Sequence, residues 1–374
     1  MSLLYDEAQH AIAAEAARVL AAETQTETLL RLADGNGQHD SRFWDTARSQ
    51  GWTGISIPET YGGLGLGLIE QGLIAQACGA QAVGAPFLIT SFGAAQAILA
   101  HGNAETRSRL LPALASGDSI GAIAFAERQS MLPSSPALRF HAGRLDGAKP
   151  AVTAGLAADV VVVLAADNRG EPLLAVASME AVERLSPGAI SNRPAPASFD
   201  PTRLAADLRF HDAPATPLAS GPAAVEAALR LLCLQSVVVA HEQMGGASAM
   251  MRKARDYALE RRAFGQPIAN FQTVKHRIAE LYALVELARA NAIHAASRVG
   301  EEDFVSAAAA ARLSATEAYD TAVRDCIQIH GGIGVTWEAG LHLHMRRARS
   351  LAIEQGSGWF WEDQLVSALE REAA

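Results

Sequence analysis

The 374-residue sequence predicts an α+β fold, mostly α, with a middle antiparallel β-domain set between two helical ones. Three observations carry that expectation. Alanine-rich stretches with apolar residues at helical spacing fill the N-terminal third. Short apolar runs separated by Gly, Asp and Pro occupy the middle, the pattern of strands joined by turns. Long helical runs without linker composition follow, and helices of that kind pack as a four-helix-bundle-like C-terminal domain. The expected domains are residues 1–118, 119–220 and 221–374.

Taken in order, DEAQHAIAAEAARVLAAE gives the first helix, and HDSRFWDTARSQGW the next, with Asp40 or Ser41 as its cap. PETYGGLGLGLIEQ then carries Gly62, Gly63, Gly65 and Gly67, so its centre is a loop ahead of another helix. No lysine follows those glycines and no strand clearly precedes them, which argues against a phosphate-cradling P-loop. Asn103 opens a short helix that Gly117 stops. From Ser119 onward IGAIAFAE, ALRFHAGRLDGAKPAVTAG, DVVVVLAAD, EPLLAVASM and AADLRFHDA read as strands, with Asp146-Gly147 as a turn between two of them. From Gly221 one very long helix is expected, running through ERRAF. The pair Gly245-Gly246 inside it costs roughly 1 kcal/mol per glycine relative to alanine, so it marks a close helix–helix contact. Two more long helices follow, over TVKHRIAELYALVELARANAIHAASRVG and EEDFVSAAAAARLSATEAYDTAVRDCIQIHGG.

Hydrophobic residues make up 49% of the chain, enough for a large core. A net charge of −9 gives no support for nucleic-acid binding. Basic residues nevertheless group at Arg252–Arg262 and Arg346–Arg349, and such local patches suit a phosphate-bearing ligand. Cys78, Cys233 and Cys326 are far apart, with no metal or redox spacing, and read as buried thiols of a reducing compartment. The acidic, amphipathic start resembles no signal segment and no apolar run reaches membrane length, so a soluble, cytoplasmic protein is expected. His342 and His344 stand two apart on a helix and point to different faces, so no metal is expected.

Two stretches carry the chemistry. Residues 326–358, CIQIHGGIGVTWEAGLHLHMRRARSLAIEQGSG, break at Gly331-Gly332, continue as an arginine-bearing helix, and break again at Gln355-Gly356-Ser357. Glycine at both breaks lets backbone approach a ligand closely. Residues 256–275, DYALERRAFGQPIANFQTVK, precede them by some sixty residues. The order, spacing and wording of ERRAFGQPI, FQ and QIHGGIGVT resemble the acyl-CoA dehydrogenase family, as does PETYGGLGL near the N-terminus.

That resemblance implies the acyl-CoA dehydrogenase fold and FAD held between subunits. Arg261 then faces the pyrophosphate, Phe264 and Gln272 lie at the adenine half, and Gln328 with the backbone of Gly331 and Gly332 receives the ADP portion. Ser357 belongs to the turn where the family has Tyr-Glu-Gly-Thr. Thr153 stands at the position that hydrogen-bonds flavin N5, while Ala126 and Ala151 replace the ring-contacting threonine and the shielding aromatic. The family base removes the α-proton of an acyl-CoA as the β-hydrogen leaves as hydride. Gln355 occupies that base position, and Gln235 the alternative one; Glu354 or Glu242 remains as a substitute carboxylate. Two readings follow. One is a homo-oligomeric dehydrogenase (dimer or tetramer) forming a 2,3-enoyl-CoA and passing electrons to an electron-transferring flavoprotein. The other is a non-catalytic subunit, in a heterotetramer with a catalytic paralogue, that supplies adenine-side contacts to a neighbour's FAD.

Overall fold

The computed structural model describes residues 5–34, 39–83, 87–128, 130–187 and 199–372. The chain begins with helices α1 (Glu7–Glu23), α2 (Thr26–Asp34) and α3 (Ser41–Ser49). Two single 3-10 turns follow, then α4 (Leu68–Gln81), α5 (Phe87–His101) and α6 (Ala104–Ser116). Seven strands come next: β1 (Gly121–Ala124), β2 (Arg139–His141), β3 (Arg144–Val152), β4 (Val160–Ala166), β5 (Pro172–Ser178), β6 (Val182–Leu185) and β7 (Ala206–Ser220). The remainder is α7 (Pro222–Glu260), a short hairpin of β8 (Arg262–Ala263) and β9 (Gln266–Pro267), α8 (Gln272–Ser297), α9 (Phe304–His330), α10 (Leu341–Leu351) and α11 (Gly358–Glu372). Helix starts follow the sequence signals. Asp6 and Gln9 form a capping box on α1, Asp40 accepts from Phe43 N on α3, and Asn103 from Thr106 N on α6.

By compactness the chain groups into two units. A helical unit takes Met1–Ala33, Leu68–Val83 and Ser236–Ala374; a strand unit takes Asp34–Gly67 and Gly84–Gln235.

In the strand unit the seven strands form one sheet in the order β1-β4-β2-β3-β7-β5, with β6 on β7 and a further β4–β5 pairing. Most pairs are antiparallel, but β4 runs parallel to β1 and, at Arg139↔Ala166, to β2. The purely antiparallel expectation is corrected there. The 125–159 connection contains the whole β2–β3 hairpin, long enough for the crossover that parallel neighbours require. Strand β4 is buried on both faces, which explains its unbroken VVVVLAA run. The expected turn at Asp146-Gly147 is also corrected: those residues lie inside β3. The hairpin turns instead at Ala142 (φ 48°) and Gly143 (φ 81°), the positive pair of a type I′ turn. Gly147, at φ 132°, sits where the β3–β7 register slips, and its conformational freedom serves a bulge. Helix α5 packs on β1, with Ser91 Oγ accepting from Gly121 N at 3.0 Å.

In the helical unit α7, α8 and α9 are long and α4 crosses α7 at glycines on both sides. A Cβ on Gly79 would lie 1.8 Å from Glu242 O, and one on Gly245 2.0 Å from Gln76 O. One on Gly246 would meet the Tyr319 ring at 2.4 Å. The glycine pair thus marks close helix contact as expected. The reading that no apolar run reaches membrane length is amended: α7 contains an 18-residue window of mean hydropathy 1.7. Of that window 72% is buried inside the protein, so packing accounts for its apolarity.

Candidate functional site

One set of site residues gathers on the surface of the helical unit. After α7 the chain makes a two-residue hairpin turn at Phe264 (φ 51°) and Gly265 (φ 81°), closed by Arg262 Nη2 donating to Gly265 O at 3.0 Å. Phe264 stands at the tip, 95% exposed, with its ring edge-to-face on Phe271 at 6.1 Å. Gln272 opens α8 next to it. Arg277–Asp325, at 2.6 Å, ties α8 to α9 between Gln272 and Gln328. Helix α9 ends at Gly331, whose φ of 62° favours glycine, and neither Gly331 nor Gly332 has an atom within 4 Å of a built Cβ. Arg261, Gln272, Gln328, Gly331 and Gly332 are all exposed. Among the described residues no hydrogen bond or ion pair engages the Arg261 guanidinium. An unpaired guanidinium, two carboxamides, an open glycine backbone and an exposed aromatic fit an ADP group.

The second break, after α10, is a strained turn held from beneath. Gln355 has φ 52° and Gly356 φ 112°; a Cβ on Gly356 would strike Phe360 at 2.6 Å and Trp361 Nε1 at 2.8 Å. Arg312, fully buried on α9, donates to Leu351 O and, at 2.9 Å, to Glu354 O. Gln243 and Thr316 hold the same guanidinium at 2.7 Å each. Burial lowers the Arg312 pKa to about 10, while the charges of Glu354 and Glu242 oppose that shift. Gln355 Oε1 and Trp361 Nε1 are buried without hydrogen-bond partners among the described residues. Ser357 lies at the start of α11, its carbonyl accepting from Trp361 N at 3.1 Å.

The arginines of α10, expected as a positive patch, are engaged inside the unit. Arg347 is buried, bonded to Glu242 at 2.8 Å and donating to Val83 O at 2.7 Å. Arg349 pairs with Asp320 at 3.0 Å, and Arg346 lies over the Trp337 ring and donates to Ala33 O. The phosphate-binding expectation for Arg346–Arg349 is therefore corrected. Glu242 is held by Arg347, and breaking such a buried pair typically costs about 3–5 kcal/mol. His342 stacks on Trp337 at 4.4 Å, while His344 is half-buried, with the Tyr319 hydroxyl at 2.8 Å from its Nδ1. Among the described residues no group of three metal ligands forms.

In the strand unit Gln235 is fully buried, its amide donating to Ile89 O at 3.3 Å and wedged against Gly93. Its Oε1 has no partner among the described residues, so an ionised carboxylate there would be buried unpaired. Thr153 is buried, and Ala151 has φ 48° with its amide donating to Asp207 at 2.8 Å. Next to Ala126, Glu127 accepts from Lys149 at 2.6 Å and from Ala137 N and Leu138 N. Burial pulls Lys149 down to about 8 against the attraction of Glu127. Of the ring-side residues only Thr153 offers a hydroxyl.

Sequence reasoning missed Arg312 and the His330–Tyr257 stack at 4.1 Å. A lone arginine in the alanine run AAAAARLSA was the available signal, since a charge on an otherwise apolar helix face is buried with partners.

The sequence profile of the acyl-CoA dehydrogenase N-terminal domain matches residues 6–118, and that of the C-terminal domain residues 225–359. Acyl-CoA dehydrogenase IpdE2 of Mycobacterium tuberculosis is 38% identical over 42% of this chain and 45% of its own, so the match spans under half of that relative. The mitochondrial long-chain specific acyl-CoA dehydrogenase of Sus scrofa is 28% identical over 81% of this chain and 73% of its own. Among solved structures, butyryl-CoA dehydrogenase from Megasphaera elsdenii superposes with TM-score 0.89 at 22% identity, over 99% of this chain and all of its own. The ChsE4-ChsE5 complex from Mycobacterium tuberculosis gives 0.85 at 22%, over all of this chain and 99% of its own. With its N-terminal and C-terminal domain profiles matched over residues 6–118 and 225–359, this chain belongs to the acyl-CoA dehydrogenase family of oxidoreductases.

Proposed function

We propose that this chain serves the FAD-dependent α,β-dehydrogenation of an acyl-CoA thioester as the subunit that holds the ADP half of FAD for a catalytic neighbour. The observation that carries this reading is the state of the base positions. Gln355 and Gln235 are amides, and Glu242 is bound to Arg347. Arg261, Gln272, Gln328 and the backbone at Gly331-Gly332 would hold the ADP group, with Phe264 against the adenine. Bound FAD supplies the acceptor for the substrate's β-hydrogen as hydride. The α-proton must go to a carboxylate, which the partner chain contributes. Relatives in two-chain assemblies support the division of labour, among them the ChsE4-ChsE5 complex and the Tcur3481-Tcur3483 steroid ACAD (TM-score 0.83, 25% identity, over 98% of this chain and 99% of its own). An electron-transferring flavoprotein is the proposed acceptor, and the cytoplasm the proposed compartment.

Glu354 favours a second reading, an autonomous dehydrogenase, because it is a half-buried carboxylate one residue from the base position. The visible spectrum of the purified chain under anaerobic titration with acyl-CoAs separates the two. Stoichiometric flavin that bleaches with a substrate, and stops bleaching in Glu354→Gln, establishes the autonomous enzyme. Absent or unbleached flavin, restored to one per pair by a paralogue and released again by Arg261→Ala, establishes the subunit reading.

A further inference from the structure

The connection from β1 to β2 walls a cavity of about 840 Å³ on the strand unit, a volume within the range of small-molecule sites. Arg128 and Arg139 line it, and both are exposed. Among the described residues no hydrogen bond or ion pair engages either guanidinium. Arg139 stands opposite Asp146 across the β2–β3 ladder, yet that carboxylate accepts from Asp212 N at 3.0 Å instead. Glu127 also lines the cavity but brings no free charge to it, being paired with the wholly buried Lys149. Two uncompensated cations thus share one hollow in a chain whose net charge is −9.

The loop that presents them is fixed. Arg128 has φ 51°, a left-handed conformation that is unfavourable for a residue with a Cβ and persists only where its surroundings impose it. Here Glu127 and Ser130 exchange backbone hydrogen bonds at 2.9 Å in both directions. The Glu127 carboxylate accepts in turn from Ala137 N and Leu138 N, closing the far end of the loop. The same bonds decide which anion fits. Phosphate cradles are built from free backbone N–H groups. The amides of Ser130, Ala137 and Leu138 are all engaged by Glu127, and that of Gly170, on the β4–β5 turn, by Asp167 O at 3.0 Å. What the cavity offers is two guanidinium forks, matched to the two oxygens of a carboxylate, and the Ser130 and Ser135 hydroxyls. Pro133, Pro136 and Ala137 complete the lining with an apolar wall.

We propose that this cavity binds an organic carboxylate with an apolar body, Arg128 and Arg139 holding the carboxylate and the two prolines facing the hydrocarbon. A free carboxylic acid and an acyl chain bearing a second carboxyl group both present that chemistry. Neither arginine serves the fold through a hydrogen bond or ion pair among the described residues. Arginine is nevertheless kept at a positive φ where glycine would sit without strain, which marks the side chain as the reason for the position. The site lies in the strand unit, whereas the ADP-binding residues belong to the helical one, so the inference goes beyond the functional reading above and stands without it.

The test is equilibrium dialysis of the full chain, with melting temperature and bound flavin recorded on the same samples. Octanoate stands for the free acid; suberyl-CoA stands for the acyl chain, with octanoyl-CoA as the control lacking the distal carboxylate. Saturable binding of octanoate, or an advantage of suberyl-CoA over octanoyl-CoA, is expected and tells the two sources apart. Arg128→Gly and Arg139→Ala are each expected to weaken that binding by roughly tenfold, the loss of one charge-assisted contact. Glycine suits the positive φ at 128, so the first variant removes the guanidinium and keeps the loop, which an unchanged melting temperature verifies. Arg139→Glu in the Arg128→Gly background is expected to take octylammonium in place of octanoate, an exchange that a merely structural role would not produce. Arg18→Ala, on the exposed face of α1, should leave binding unchanged. No carboxylate binding at millimolar concentration, binding retained in both single variants, or octan-1-ol bound as well as octanoate overturns the proposal. Octyl phosphate bound more tightly than octanoate overturns it too, since the cavity would then be a phosphate site.

Discussion

Arg347 and Glu242 show how far a single residue departs from its sequence context. Three arginines within four positions of α10 look like a solvated patch, yet each has a different partner, and Arg347 is buried. Charge composition was legible; the direction of each side chain was not, because it depends on helices distant in sequence. The same holds for His344 and His241. That His342 and His344 face different ways could be read from their spacing, but not the loss of solvent that pushes His344 down to about 3 and His241 to about 4. A histidine whose folded pKa is depressed binds its proton more tightly when unfolded. Its stabilising contribution is therefore present above about pH 6.5 and is lost as pH falls toward the folded value. Acidification from pH 6.5 to 5 is expected to cost on the order of 2 kcal/mol through His344, at 1.36 kcal/mol per unit. Urea unfolding at both pH values measures it; His344→Gln should reduce the pH dependence, and an unchanged slope would refute the assignment.

At the level of elements, local signals were read well and the pairing of elements less well. Caps at Asp40, Asn103 and Gly117 act over three or four residues, so the sequence contains all the interacting parts. Asp146-Gly147 was misread because glycine serves a bulge as readily as a turn, and only the β3–β7 register distinguishes them. Gly245-Gly246 announced a close contact without naming its partner. That partner, α4, brings Gly79 to the same crossing. Gly79→Ala and Gly245→Ala should each force α4 and α7 apart and lower stability by about 1–3 kcal/mol. Gly332→Ala, with no neighbour within 4 Å, should leave the unfolding midpoint unchanged. Equal midpoints for all three would show that the α4–α7 crossing is not tight.

For the molecule as a whole, the helix–strand–helix order was legible, while the grouping into two interleaved units was not, since it depends on which distant helices share a core. The candidate site was legible on its adenine side, where the motifs are contiguous. It was least legible at the turn, where Arg312 arrives from forty residues away. If the chain holds the ADP half of FAD, ADP alone should raise the melting temperature, by about 2.7 kcal/mol of stabilisation at one hundred times its Kd. FMN should not. Arg261→Ala should abolish the ADP shift without changing the ligand-free melting temperature, which scanning calorimetry reads directly. An equal response to FMN would reassign the site.

The interleaving has a consequence for synthesis. The strand unit is encoded up to Gln235, whereas the helical unit draws α1, most of α2 and α4 from before that point and the chain from Ser236, within α7, through α11 from after it. On the ribosome, α1 and α4 can pack on one another early, but the face of α4 that meets α7 at Gly79 has no neighbour until the final third of the chain has emerged. A helix made early is thus among the last to complete its contacts.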